Sequence, residues 1–428
     1  MLTMAGLSRP SPSPFDSAMR WRIALMVCAG IAISYLDRQT LPVAVKAIAR
    51  DIPLSNEQFS TVQSAFLFAY ALMYVGGGKL ADALGTRRGF AIIMLFWSAA
   101  CAGHALAVGI VSLGVARFLL GVGEGGGFPA ATRVVAEWFR TEERATAMGI
   151  INAGTAVGAV AAPPLIAVIL GFASWRWIFL ATGLIGMLWT AWWWHSYFAP
   201  SKPAEVPDTR SRAETAIAWP DLLRMREVWG LVAAKFLSDA AWYFYLFWLP
   251  KYLYDARGFD IKGVGALAWM PNAAGGVGCL VGGWFSSRLV ERNFSLNAAR
   301  KIALGLSAAV MPFIVLVPSV GIGWAISLFC LAYFGQQSWS TLVMVLPADL
   351  FATEVVGSVA GLVGFGGAMG GIVFGQIAGY LLDHGFGYRT VFSLAGTFHV
   401  AGFLVILAAV PVVGRLARDR ALGYGGSR

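Results

Sequence analysis

Four charged residues stand where a membrane-spanning chain can least accommodate them. Asp37 and Arg38 interrupt the first apolar run, and Arg117 and Glu124 interrupt another some eighty residues later. A charge at the bilayer centre costs on the order of 2.5 to 3.5 kcal/mol even on the lenient insertion scale, so acids and arginines on two spans read as an ion or substrate pathway. Arg117 and Glu124 are seven residues apart, a spacing that puts them on one helical face about 10 Å apart along the axis. One face then carries an anion binder and a titratable acid. The protonation of that acid can respond to whether an anion occupies the arginine, which is a physical means of coupling a proton to an anion. At 1.5 Å per residue, Asp37 lies roughly 22 Å from the start of its span and Arg117 roughly 9 Å from the opposite start of its own, similar levels in a core about 30 Å thick. Glu124 falls nearer the midplane.

The second half of the chain carries Lys235 and Asp239, an i to i+4 pair within another apolar run. Mutually neutralised scaffolding is one reading of it. A contact for an acidic or polyhydroxylated substrate is the other, supported by Trp242, Tyr243 and Tyr245, whose rings can stack on the carbon face of a sugar. Gln336, Gln337, Ser338 and Trp339 interrupt a further apolar run with amide and hydroxyl groups suited to a polyol. Other chemistry fails on context. Gly121, Gly123 and Gly126 match the dinucleotide G-x-G-x-x-G pattern, but no strand precedes them and the segment is an apolar helix, so the glycines read as close helix packing. Cys28, Cys101, Cys279 and Cys330 lack metal-type spacing, and His104, His195, His384 and His399 are scattered singly, which points to structural or interfacial roles. With no Ser/His/Asp order, metal cluster or phosphate loop, neither an enzyme nor a bound cofactor or metal is expected.

The elements that must position these groups are membrane helices. Hydrophobic residues make up 58% of the 428 and charged ones 13%, with 51 glycines, far from a soluble domain in which charge runs near a quarter. Twelve apolar runs approach the roughly 20 residues a bilayer demands: 22–45, 58–80, 89–108, 111–132, 145–170, 176–198, 228–253, 262–288, 300–318, 322–346, 355–382 and 388–413. A polar stretch, residues 199–227, separates them six and six, so the expected fold is all-α, with two six-helix lobes (22–198 and 228–413) between tails 1–21 and 414–428. The first tail, Ser/Pro-rich and followed by a full-length charged span, does not read as a cleavable signal peptide. Of 32 Lys and Arg, twenty-two fall on the side of the N-terminus, seven on the other and three (Arg38, Arg117 and Lys235) inside spans. Both termini are therefore expected in the cytoplasm. The basic excess lies in short loops rather than in one patch, which argues against nucleic acid. Tryptophans at span ends, Trp175, Trp177 and Trp192 to Trp194, read as interfacial anchors.

Internal duplication adds a gate. Gly78-Lys79-Leu80-Ala81-Asp82-Ala83-Leu84-Gly85-Thr86-Arg87-Arg88 follows the second span, and Gly282-Gly283-Trp284-Phe285-Ser286-Ser287-Arg288 follows the eighth. The first is similar to the loop signature of the major facilitator superfamily, with Ala83 where a basic residue is usual. Asp82, Arg87 and Arg88 can bridge to charges on a neighbouring helix end, with Glu137 and Arg144 the obvious partners of a cytoplasmic gate.

Tyr35-Leu36-Asp37-Arg38, Phe68-Ala69-Tyr70, Arg117 with Gly123-Glu124-Gly125, Pro129-Ala130, Glu137-Trp138-Phe139 through Glu143-Arg144, Trp248-Leu249-Pro250 and Trp269-Met270-Pro271 together resemble the anion:cation symporters of that superfamily, in particular the hexuronate and galactonate carriers. The resemblance implies a proton-coupled symporter that imports a sugar acid, hexuronate or aldonate, across a bacterial inner membrane as a monomer. The proton gradient would be its only driving force. It implies Asp37 and Glu124 as the proton-coupling pair and Arg117, Arg38, Tyr35 and Tyr70 as the holders of the substrate carboxylate. An amide that some galactonate carriers place on the fifth span is not apparent, Asn152 and Thr155 being the candidates. A drug/proton antiporter of the same fold is the alternative, against which the fifth span lacks the full glycine-proline-glycine-glycine pattern. A non-transporting sensor is another, distinguishable by binding without flux.

Overall fold

Short polar residues between the apolar runs set where helices start. Ser55, Ser174, Asp260 and Ser295 each accept a hydrogen bond from the first turn of the helix that follows, satisfying one of the donors a helix start leaves orphaned. The computed structural model describes residues 17–139, 141–198, 222–351 and 353–414, and these are almost entirely helical. In chain order they form α1 (Ser17–Asp51), α2 (Asn56–Gly103), α3 (Ile110–Gly125), α4 (Gly127–Trp138), α5 (Thr141–Leu170), α6 (Trp175–Ser196), α7 (Arg226–Asp255), α8 (Ile261–Leu267), α9 (Trp269–Glu291), α10 (Leu296–Ala309), α11 (Ile322–Leu350), α12 (Thr353–Asp383) and α13 (Gly387–Ala409).

All twelve expected spans fall on these helices, with informative departures. α2 runs through the second and third spans, and its 48 residues are too long for one crossing. Gly85, at φ 72°, breaks it. That positive φ is cheap only for glycine, which gives the last glycine of the loop signature a physical task. Residues from both halves of α2 pack on the same stretch of α3: Phe66 and Ala69 against Gly121, Trp97 against Gly123, Tyr70 and Met73 against Gly125. The two halves therefore flank α3. The fourth span is divided at Gly126 into α3 and α4, the eighth at Ala268 into α8 and α9, and the ninth ends in a 3-10 stretch, Met311–Ser319. Nine of the described segments are long and apolar enough to cross a bilayer by length and composition. α7 and α11 are not among them, and these carry Lys235, Asp239, Gln336 and Gln337.

Within the first half α1 packs along α5, and α2 along α3 and α6; in the second α7 packs along α12 and α13, and α9 along α11. α12 also lies on α2, and α8 and α9 on α5, so these helices join the halves. Glycines make the closest approaches possible. A methyl group at Gly158 of α5 would meet the Ala32 carbonyl and stand 3.0 Å from the Cβ of Tyr35. On α12, Gly366, Gly367, Gly370 and Gly371 face Val232, Asp239, Phe236 and Tyr243 of α7. Gly370→Ala, whose added carbon would meet the Phe236 carbonyl, a group the helix cannot turn aside, is expected to cost about 1–3 kcal/mol, as overpacking does. A fall in the melting temperature of the purified protein would register it, and an unchanged one would rule out so tight a seam.

The tryptophan runs divide. Trp177, Trp192 and Trp194 are exposed, as anchors require, whereas Trp193 is fully buried and donates to the Arg87 carbonyl at 3.1 Å, and Trp175 is buried and donates to Asp51 at 3.0 Å. Adjacent helical residues point about 100° apart, so consecutive tryptophans cannot share one role.

Candidate substrate and proton site

α1 presents Ser34, Tyr35 and Arg38 on one face, the first and last separated by one helical turn. Glu124 of α3 meets them: Arg38 Nε donates to its Oε2 at 2.6 Å and Ser34 Oγ donates to the same oxygen at 2.8 Å. The guanidinium lies between two rings, 4.5 Å from the centroid of Tyr35 and 4.4 Å from that of Tyr70. Such faces attract a cation where water is scarce. Arg38 spends only Nε on Glu124, so its outer nitrogens face elsewhere. Tyr243 of α7 is within electrostatic reach of Arg38, Tyr35, Tyr70 and Asp239, which puts Arg38 at the junction of the two halves.

Asp37 points the other way, into the first half. Cys101 and Thr182 are its polar neighbours, Arg117 is within electrostatic reach, and it is fully buried with no ion pair of its own among the described residues. Arg38, adjacent to Asp37 in sequence, pairs with Glu124 instead, because successive helical residues diverge. Arg117 is fully buried too, its guanidinium 5.9 Å from the Phe66 ring and all three of its nitrogens unpartnered. Behind it His104 stacks on Phe179 at 4.6 Å, its Nδ1 against the Ala100 carbonyl at 2.9 Å. Buried groups left unpaired are rare. Asp37 and Arg117 are thus two dry charges inside the first half that make no ion pair with each other, and Arg38 and Glu124 are a bonded pair at its surface.

The second half adds its own cluster. Lys235 Nζ stands 2.9 Å from Asp239 Oδ1 and donates to Ser340 Oγ at 2.8 Å. Gln336 donates to Asp239 at 3.3 Å, and its carbonyl oxygen meets Nε2 of His399. Gly367 leaves room for the Asp239 carboxylate. Of the α11 residues singled out from sequence, Gln336 alone hydrogen-bonds within this cluster and Trp339 packs edge-on to its His399 at 5.6 Å, whereas Gln337 turns toward Gly275 of α9. Helical phase separates Gln337 from the other two. Ser34, Ser340 and His399 are members the sequence reading missed. Two clefts of about 300 and 500 Å³ open elsewhere, the first beside Lys46, Arg50 and Tyr254, the second beside Arg22, Trp192 and His195.

At the expected gate Glu137 is engaged on every side described. Thr86 Oγ1 and Arg133 Nε donate to its Oε1 at 2.5 and 2.9 Å, and Tyr197 donates to its Oε2 at 2.8 Å. Arg87 instead lies on the Trp194 ring at 4.7 Å, and Arg88 is exposed. The side chains of Asp82 and Arg144 lie outside those described.

A second junction joins the halves at the other end. Asp383, the last residue of α12, accepts from the Asn56 amide at 3.0 Å, the Asn56 side chain at 2.8 Å and the Glu57 amide at 2.8 Å, so it caps α2 from the opposite half. Tyr254 donates to the Val43 carbonyl at 2.7 Å, Gln376 to Ser64 at 3.0 Å, and Phe59 packs edge-on to Trp248 at 5.2 Å. Every hydrogen bond between described residues of different halves lies at this end.

Residues 27–375 match the family model of the Major Facilitator Superfamily. The chain belongs to that superfamily. It is similar to the hexuronate transporter of Escherichia coli strain K12, at 30% identity over 91% of this chain and 93% of that one. It is likewise similar to a probable sulfoacetate transporter of Cupriavidus necator (31%, covering 92% and 94%) and to the D-galactonate transporter of Escherichia coli O6:H1 (30%, covering 93% and 94%). Among solved structures, a bacterial homologue of the human lysosomal transporter Spinster, inward-facing and occupied, superposes with TM-score 0.77 at 15% identity, covering 92% of this chain and 97% of that one; this likeness concerns the fold. As a superfamily member the protein is a multi-pass membrane transporter and not an enzyme. The paired clusters above lie where the two halves of this fold meet.

Proposed function

We propose that the protein is a proton-coupled symporter that imports a sugar acid, hexuronate or aldonate, by alternating access across a bacterial inner membrane. The observation that carries this reading is the single hydrogen bond shared by Arg38 and Glu124 at the junction of the halves. A substrate carboxylate drawn to Arg38 competes with Glu124 for the same cation. A buried carboxylate deprived of its cation is neutralised by a proton rather than held charged. Substrate and proton therefore enter together, and Asp37 with Arg117 behind supplies a second acid through which the proton can pass. The ring faces of Tyr35, Tyr70 and Tyr243 suit the carbon skeleton, and Lys235, Asp239 and Gln336 suit its hydroxyls. The relatives named as hexuronate and D-galactonate transporters support this substrate class. The distribution of basic residues assigns both termini to the cytoplasm, so the end locked by Asp383 faces outward. Uptake of labelled hexuronates, aldonates and aromatic acids into proteoliposomes under an imposed pH gradient tests the proposal. Accumulation of a sugar acid that collapses with the gradient supports it, and transport indifferent to the gradient overturns the coupling.

Opening the outer end must break the Asp383 cap. Asp383→Asn keeps size but loses the charge that accepts three bonds, and the loss of a cap costs roughly 0.5–2 kcal/mol. The population open at this end should rise several-fold, read from spin-label distances between the α1–α2 and α12–α13 turns. An unshifted distribution would show that Asp383 does not hold this end closed.

A further inference from the structure

The buried charged side chains among the described residues, histidines apart, are three acids and three bases: Asp37, Glu124 and Asp239 against Arg38, Arg117 and Lys235. With all six ionised they sum to zero. A net charge in so dry a region is costly, so a bound monoanion calls for one accompanying proton, and a dianion for two. The two ends of the site differ in what they offer. In the first half the outer nitrogens of Arg38 are uncommitted. In the second, Lys235 is already committed to Asp239 at 2.9 Å and to Ser340 at 2.8 Å, and Gln336 also points its amide at Asp239. A hydroxyl fits between these groups because it donates to the carboxylate and accepts from the ammonium. A second carboxylate only accepts, and it would face Asp239 with no free cation to answer it.

We infer that the second half of the site selects an uncharged polyhydroxyl tail, that the substrate is a polyhydroxy monocarboxylate carried with one proton rather than an aldarate with a carboxylate at each end, and that Asp239 is the residue that sets this choice. The inference rests on the sugar-acid reading above and narrows it. Discrimination of this kind comes from the repulsive element as much as from the attractive one.

The test compares aldonates and hexuronates (gluconate, galactonate, glucuronate, galacturonate) with aldarates (glucarate, galactarate) at pH 7, by calorimetry on the purified full-length protein. The wild type should bind the best monocarboxylate at least about tenfold more tightly than either aldarate, the discrimination one charge-assisted bond supplies. Asp239→Asn releases Lys235 to meet a second carboxylate and should shift the ratio toward the aldarate by about tenfold or more. Lys235→Gln leaves Asp239 without its cation and should shift the ratio the opposite way, which keeps the idea testable should the first variant not fold. Equal wild-type affinity for aldarates and aldonates would overturn the inference while leaving sugar-acid transport standing, as would an unchanged ratio in a folded Asp239→Asn protein. Absence of binding by every sugar acid would overturn the transport reading on which it rests.

Discussion

Glu124→Gln is expected to abolish proton-driven accumulation while leaving exchange of internal for external substrate measurable. The amide keeps the shape of the carboxylate and an oxygen that can still accept from Arg38 and Ser34, the two donors at 2.6 and 2.8 Å in the native protein. It cannot take up or release a proton. Exchange needs only that the loaded carrier reorient, with no net proton movement, so it survives. One pH unit is worth about 1.4 kcal/mol per proton, so a one-proton, one-anion carrier should concentrate substrate about tenfold against that gradient. In the variant the ratio should fall to unity. Retained accumulation would remove Glu124 from the coupling step and leave Asp37, the other buried acid of the first half, to perform it. Asp37→Asn is the natural companion measurement.

Arg38→Lys is the second large effect. A guanidinium presents a planar fork, and here its Nε is spent on Glu124 while the outer pair remains available for a carboxylate. Lysine keeps the charge as a compact point on a flexible stem. It cannot hold Glu124 and a substrate at once, nor lie flat between Tyr35 and Tyr70. Charge-assisted bonds contribute roughly 1.5 to 3 kcal/mol, so affinity for the acid should drop about ten- to hundredfold. A neutral aldose of equal size should be affected far less. Arg117→Lys provides the control, since Arg117 is fully buried inside the first half. If that variant lost the greater affinity by calorimetry, the carboxylate would belong to Arg117, as depth along the spans suggests, and Arg38 would serve only to hold Glu124.

Depth and helical spacing made much of this site legible, and helical phase explains the remainder. Counting residues from span ends brought Asp37 and Arg117 to one level, and each is fully buried and within electrostatic reach of the other. Counting could not show that Arg38, next in sequence, turns to Glu124 instead. The i to i+4 spacing that exposed Lys235 and Asp239 also joins Ser34 to Arg38 and Gln336 to Ser340, so both serines were within reach of the same argument. His399 was not: a single histidine in an apolar run carries no pattern, and only packing brings it to Gln336. Hydropathy marks twelve apolar runs because bilayer thickness fixes their length, and nine described segments meet the length and composition of a crossing. It could not see α2 continue through a break at Gly85, since a backbone dihedral leaves no hydropathic trace. The Asp383 cap was equally hidden, its partners lying 326 and 327 positions away.

That cap distributes its vulnerability unevenly. Two of its three donors are main-chain amides of α2, which exchange of the side chains at 56 and 57 leaves in place, whereas all the acceptors belong to one carboxylate. Drift in the sequence of the α1–α2 turn would then leave the dwell time of the closed Asp383 end almost untouched. A change at position 383 would reset it in one step. Turnover is thus open to retuning from a residue remote from the Arg38–Glu124 pair, without altering what the carrier recognises.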